Sequence, residues 1–290
     1  MKNKIIALGF FDSIHLGHRV LIEKGKELAN KTSSDFCVTT FSDDFLKLIN
    51  KANKEVYLLA ERKEILNNLG VNNLFVFETT PEFFNMSKDS FLEYISTFLP
   101  TGIVVGNDYK FGKNAEGTVE DILAYFENKN VPVKVCNLVQ MGKKKISTND
   151  IREHLTNGEI EKANKLLGGR FFYSGIVTHG KKNGTKIGYP TINVEIPDGK
   201  IKIKSGVYSS YTYVGTDRYL SVTNVGGRPT LNDRHFNVET HLVDVNQDLY
   251  GEKVRIEIIS FLRDIKKFDN LKELSLQIEK DVETTKRMYL

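Results

Sequence analysis

Ten residues near the N-terminus carry the densest chemistry in the 290-residue chain: Gly9-Phe10-Phe11-Asp12-Ser13-Ile14-His15-Leu16-Gly17-His18. The run follows an apolar segment, residues 5–10, and opens an amphipathic one, residues 16–30. It therefore reads as the turn from a first strand into a first helix. His15 and His18 then fall in the first helical turn, three residues apart on one face. Free backbone N–H groups at a helix start favour a phosphate, and two imidazole donors strengthen such a site. Gly17, between the histidines, would let a phosphorylated ligand approach the backbone closely.

Two later segments can complete this site. In Val105-Gly106-Asn107-Asp108-Tyr109-Lys110-Phe111-Gly112, Asn107 and Asp108 leave the carboxyl end of a predicted strand, where open α/β sheets bind ligands. They could take ligand hydroxyls or a metal, or simply form a turn. In Ile146-Ser147-Thr148-Asn149-Asp150-Ile151-Arg152, the two hydroxyls precede a helix and can cap it, while Arg152 is a bidentate phosphate donor.

The second half has its own set. After Gly175-Ile176-Val177-Thr178-His179-Gly180, the glycine- and lysine-rich residues 181–188 can fold their N–H groups into an anion-binding nest, with Lys181, Lys182 or Lys186 adding charge. Thr191 and Asn193 in Tyr189-Pro190-Thr191-Ile192-Asn193 are hard oxygen ligands on one face of a strand, suited to Mg²⁺ bridging phosphates. In Asn237-Val238-Glu239-Thr240-His241-Leu242, the residues Val238, Thr240 and Leu242 share the face opposite Glu239, which leaves its carboxylate pointing away from that packing. Arg228 and His241 are given no chemistry.

Two kinds of scaffold must position these residues. Up to residue 168, strands at 5–10, 36–41, 74–77, 103–105 and 131–139 alternate with helices at 16–30, 60–69, 87–99 and 118–128. That alternation predicts a parallel sheet covered on both faces. Helices at 149–156 and 159–167 then lead to Gly168-Gly169, taken as the boundary between domains 1–168 and 169–290. Beyond it the period becomes two, in strands at 172–179, 192–196, 207–214, 219–225, 236–243 and 254–259, which predicts a small antiparallel barrel. A last helix, 269–289, should pack on that barrel through Leu271, Leu274, Ile278 and Val282.

Composition narrows the partners. The first 168 residues hold 22 basic and 22 acidic side chains, so the net charge of +4 falls entirely in the remainder. Such a footprint is too weak for a dedicated nucleic-acid binder. No apolar run approaches the roughly 20 residues that span a bilayer, and the opening segment is too short and too soon acidic for a signal peptide. Cys37 and Cys136 lie in separate strand-like runs and read as buried free thiols, as expected in a reducing cytoplasm. None of these features specifies an oligomeric state.

The first-half motifs resemble the nucleotidyltransferase superfamily, and within it the bacterial flavin adenylyltransferases. The second-half order of G-x-V-x-x-G strand, glycine-rich flap, P-T-x-N element and strand glutamate resembles riboflavin kinase. Together they resemble the bacterial bifunctional riboflavin kinase/FMN adenylyltransferase family. The resemblance implies an α/β Rossmann-like nucleotidyltransferase domain followed by a six-stranded antiparallel barrel with a C-terminal helix. It also implies ATP as co-substrate, Mg²⁺, riboflavin and FMN as substrates, and FMN and FAD as products. His15, His18 and Arg152 would stabilise charge on the triphosphate, and Gly9, Phe10, Asp12, Gly17, Ser147 and Thr148 would bind ATP. Asn107 and Asp108 would bind flavin or nucleotide. In the kinase, Gly180, Lys186, Gly188, Thr191 and Asn193 would bind ATP, with the last two on the metal and Glu239 as general base. Two departures stand out: Ser13 where the family usually has glycine, and Thr148-Asn149 where it usually reads Ser-Thr. Two rival readings are an inactive adenylyltransferase half and a flavin-sensing regulator of RNA or transcription, the second without any supporting motif. Transfer to another phosphate ester, such as pantetheine phosphate, would leave the second half idle.

Overall fold

The computed structural model describes residues 3–43, 45–48, 54–71, 73–137, 139–142, 144–179, 188–227, 236–245 and 247–289. By its contacts the chain divides into two units, Met1–Thr148 and Asn149–Leu290. In the first, strands β1 (Lys4–Leu8), β2 (Asp35–Phe41), β3 (Asn73–Phe77), β4 (Gly102–Gly106) and β5 (Val133–Cys136) form a parallel sheet in the order β3-β2-β1-β4-β5. The chain winds outward from β1 to β3 and then crosses back to β4 on the other side of β1. Their carboxyl ends therefore flank the crevice where such sheets bind ligands.

Alternation along β1 serves two layers. Ile6 and Leu8 join a core with Phe91, Leu92 and Ile95 of α5 (Lys88–Ser96) and with Ile122 and Phe126 of α6 (Val119–Glu127). On the opposite side α1 (Leu16–Lys31) buries Leu21, Ile22 and Ala29. Gly25 of this helix is needed for that approach, since a Cβ there would stand 2.2 Å from the Phe36 ring. Two short helices, α2 (Phe45–Leu48) and α4 (Pro81–Phe84), and helix α3 (Leu59–Asn68) complete this part. A small hairpin, β6 (Gln140–Met141) and β7 (Lys144–Lys145), leads to α7 (Thr148–Asn157).

The unit boundary falls earlier than residue 168. Helix α8 (Ile160–Leu167) buries Ile160, Ala163 and Leu167, and Asn164 clamps the barrel by donating to Ile258 O (2.9 Å) and accepting from Phe171 N (2.7 Å). Lys204 N donates to Leu155 O of α7. Gly168 is thus a left-handed C-cap (φ 65°) rather than a linker.

The second unit is the expected six-stranded closed barrel: β8 (Phe172–Thr178), β9 (Ile192–Glu195), β10 (Gly206–Val214), β11 (Asp217–Gly227), β12 (Phe236–Leu242) and β13 (Lys253–Arg263), in the order β10-β11-β12-β9-β8-β13. A hydroxyl ladder runs through its interior: Thr212 to Ser221 (2.9 Å), Ser221 to Ser210 (2.8 Å), Ser210 to Thr223 (2.7 Å) and Thr223 to Thr240 (2.9 Å). All five side chains are fully buried.

Helix α9 (Leu271–Tyr289) keeps Leu274, Ile278 and Val282 of the expected stripe half-buried, and its deepest contacts are polar. Leu271 is exposed, whereas Asp281 and Thr285 are buried. Asp281 receives a bidentate pair from Arg263 (3.0 and 2.7 Å), and Thr285 bonds Ser209 (2.8 Å). Charge pairing, invisible to an apolar periodicity, sets this face.

Candidate active sites

The first site is built at the carboxyl end of β1. Residues 9–15 form a loop in which Phe11 (φ 55°) and Ile14 (φ 45°) both adopt left-handed backbone conformations, costly for a β-branched residue. Hydrogen bonds hold it there. Gly9 N donates to Thr39 Oγ1 (3.1 Å), Thr40 Oγ1 donates to Phe10 O (2.7 Å), and Val56 N donates to Asp12 Oδ1 (2.8 Å). Asp12 is 2% exposed, so its carboxylate serves as an internal anchor of the loop. Phe10 packs against Phe45 (4.4 Å) and beneath the buried Arg62 guanidinium (5.1 Å).

His15 is the N-cap of α1, not a first-turn residue. Its Nδ1 accepts the His18 backbone N–H at 3.2 Å, so one of the amides expected to be free for phosphate is already taken. The two imidazole rings stack at 3.8 Å with an interplanar angle of 2°. Burial lowers the His15 pKa to about 4 and pushes that of His18 well below its usual range. Both rings are neutral at pH 7. Because His15 Nδ1 is an acceptor, its proton sits on Nε2, which is free to act as a neutral donor. A Cβ at Gly17 would stand 3.0 Å from His15 Cε1 and 3.1 Å from Nδ1. It clears space for the His15 ring.

Two further pieces reach this loop, one through the charges beside His15 and one through the Ser13 hydroxyl. Asn107 follows β4 and donates its backbone N–H to Cys136 O (3.0 Å). Asp108 is ion-paired with Lys145 of β7, and both charges act on His15. Ser13 Oγ lies 3.0 Å from Thr148 Oγ1 at the start of α7, next to Ser147. Arg152 lies one turn along that helix and donates to Asn149 Oδ1 (3.0 Å). Lys145 was not singled out from the sequence. The signal available was its place in Lys143-Lys144-Lys145, immediately before Ile146-Ser147.

In the barrel, register brings Glu239 of β12 opposite Asn193 of β9. Thr191 Oγ1 donates to Glu239 Oε1 (2.7 Å), and Asn237 Nδ2 donates to Asn193 Oδ1 (2.9 Å). Thr191, Asn193 and Glu239 thus form one oxygen-rich cluster. Beside it lies a cavity of about 580 Å³ lined by Tyr189, Pro190, His241, Val243, Val282 and Glu283 among others. His241 Nδ1 donates to Pro190 O (2.8 Å), and burial lowers its pKa. The sequence reading left Tyr189 and His241 without a role; the period-two spacing of Glu239 and His241 on one strand face was the cue. Gly188 adopts φ 84° at the cavity rim. Gly180, Lys186 and the flap at 181–187, like Arg228, lie outside the described residues.

Among the described residues, no group of three or more His, Cys, Asp or Glu could hold a metal ion, and no helix is long and apolar enough to cross a membrane. Residues 1–150 match the FAD synthetase family model and residues 167–289 the riboflavin kinase model. The chain is 32% identical to the bifunctional riboflavin kinase/FMN adenylyltransferase of Listeria monocytogenes, over 99% of this chain and 93% of that protein. It is 33% identical to the Bacillus subtilis protein of the same description, over 98% and 92%. A crystal structure described as a macrolide-efflux protein from Streptococcus pneumoniae superposes with a TM-score of 0.88 at 31% identity, covering 98% and 94% of the two chains.

Proposed function

The chain belongs to the bifunctional riboflavin kinase/FMN adenylyltransferase family, and from that premise we propose how its own residues divide the two reactions. The enzyme phosphorylates riboflavin with ATP to give FMN and joins FMN to AMP from a second ATP to give FAD, releasing pyrophosphate. The observation that carries the assignment of residues is that each family match contains one polar cluster beside a strand end.

In the kinase, Glu239 accepts the proton of the ribityl 5′-hydroxyl as that oxygen attacks the γ-phosphorus of ATP and ADP departs. Thr191 donates to Glu239 and so holds the carboxylate in its accepting orientation. Mg²⁺ fits the donor set, since Thr191 and Asn193 offer neutral hard oxygens beside one carboxylate and this ion takes few protein ligands. When bound, it neutralises phosphate charge. The cavity at Tyr189 and His241 is of a size for the isoalloxazine ring.

In the adenylyltransferase, the FMN phosphate attacks the α-phosphorus of ATP. The nucleophile is already anionic, so no general base is required. His15 and His18 act as neutral N–H donors to the triphosphate, because burial keeps them uncharged. Positive charge comes from Arg152 and Lys145, with Ser147 and Thr148 adding hydroxyls at the start of α7. Asn107 and Asp108 border the crevice, and the half-buried rings of Phe10, Phe45 and Phe84 offer FMN a stacking surface. Both reactions run in the cytoplasm, where Cys37 and Cys136 stay reduced.

Full-length protein with Mg²⁺-ATP should convert riboflavin to FMN, and FMN to FAD with stoichiometric pyrophosphate. FMN formation without FAD or pyrophosphate would mean that the first half has lost its activity. Salt-sensitive RNA binding without turnover would reverse the assignment altogether.

A further inference from the structure

We propose that Ser13 is a positioning residue for adenylyl transfer, resting on the reading above: its buried hydroxyl orients Thr148 and locks the histidine loop to the start of α7. Ser13 is 1% exposed, and a hydroxyl buried that deeply is kept only where it is hydrogen-bonded. Its partner is Thr148 Oγ1 at 3.0 Å, 135 positions along the chain. Thr148 itself is half-buried, so its hydroxyl can reach a ligand that Ser13 cannot.

The two departures from the family pattern therefore meet in space. A hydroxyl added at position 13, in place of glycine, finds the hydroxyl of a residue that is threonine rather than serine. Threonine is stiffer at χ1 than serine, so its Oγ1 samples fewer directions. The directional logic follows from the acceptor at the end of the chain. When an anionic phosphate oxygen takes the Thr148 proton in a hydrogen bond, Thr148 must accept from Ser13. The two O–H groups then align head to tail and polarise each other toward the phosphate.

Backbone geometry supports the same role. Ser13 lies between Phe11 and Ile14, both in the left-handed region, and Ile14 precedes the His15 cap. Thr39, Thr40 and Val56 hold residues 9–12 to β2 and to the segment before α3. The Ser13 bond reaches instead to the segment that carries Lys145, Ser147 and Thr148. It fixes the spacing between the histidine pair and the hydroxyls on which one triphosphate is to lie.

The test is a double-mutant cycle in the full-length protein with S13A, T148A and S13A/T148A. Rates of FAD formation and calorimetric ATP affinity are both measured, thermal melting of the same preparations reports folding of the first unit, and riboflavin phosphorylation serves as the internal standard for active protein. S13A should lower kcat/KM for ATP by about three- to tenfold, as for one neutral hydrogen bond, with KM for FMN unchanged. The double variant should be no worse than T148A, since Ser13 acts through Thr148. Multiplicative losses, or S13A with unaltered ATP affinity and rate, would overturn the proposal. A wild-type protein that forms no FAD yet has coupled ATP affinities would refute the adenylyltransferase reading while the Ser13–Thr148 coupling stands.

Discussion

Replacing Gly17 by alanine should separate stability from catalysis. The added Cβ would stand 3.0 Å from His15 Cε1, against an ordinary carbon contact of about 3.5–4.0 Å. To make room, the ring must give by a few tenths of an ångström, shifting its stack on His18 and its cap on the His18 amide. Losing that cap costs about 1 kcal/mol, while alanine in place of glycine in a helix returns up to about 1 kcal/mol. These nearly cancel, so the melting temperature should move by only a few degrees. Catalysis has no such offset. A misplacement of about 1 Å in a group aligned on the transition state can cost about 10²-fold, so a shift of a few tenths of an ångström should lower FAD formation by about three- to tenfold. Riboflavin phosphorylation, measured by separating FMN and FAD chromatographically in the same reaction, should be unchanged. G17A with wild-type FAD formation would refute the claim that this glycine serves His15, and equal loss of both reactions would mean that the fold was damaged instead.

Glu239→Gln should lower riboflavin phosphorylation by about 10²- to 10⁴-fold while FAD formation from supplied FMN persists, because the amide can no longer take a proton. Lys145→Ala should reduce FAD formation by about tenfold or more, with Lys145→Arg retaining most of it; equal rates for all three proteins would remove Lys145 from the site. Mild acid should destabilise the first unit through its buried histidines. The folded His15 pKa is lowered to about 4, so below the unfolded value of 6.5 protons bind the unfolded chain preferentially. Stability from this group is therefore full above pH 6.5 and lost as pH falls toward 4, by about 3 kcal/mol in all. Urea midpoints from pH 7 to 4.5 should show that slope, and His15→Asn, which keeps a capping oxygen but cannot titrate, should remove the His15 share and leave the part of the same sign that comes from His18.

The elements were legible where a single periodicity governs them. Continuous apolar runs gave β1 to β5, and the alternation of β8 to β13 predicted the barrel with strand ends mostly within one or two residues. Legibility stopped where polar pairing decides. Asp281 and Thr285 form the deepest docking contacts of α9 through Arg263 and Ser209, and Asn164 ties α8 to the barrel. No hydrophobic count anticipates either. In the sites, the sequence shows which polar residues are present but not what each touches. Asp12 anchors the loop through Val56 N, and Gly17 leaves room for the His15 ring, contacts that no motif spells out. Lys145 was obscured because surface lysines are usually solvated, and only its pairing with Asp108 marks it out.

Five hydroxyls packed against one another inside the barrel cannot be exchanged one at a time. Thr223→Val strands the buried Thr240 hydroxyl, whereas replacing the whole ladder with apolar groups of similar shape is nearly neutral. A slip of β12 by one residue would break the Thr223–Thr240 contact and swing Glu239 inward as Thr240 moved out. The silent face of this strand thus proofreads the placement of the reactive one. Variation in this half should therefore be inherited in blocks: the barrel interior can drift only by concerted change, and each admissible block must return the carboxylate to the same side.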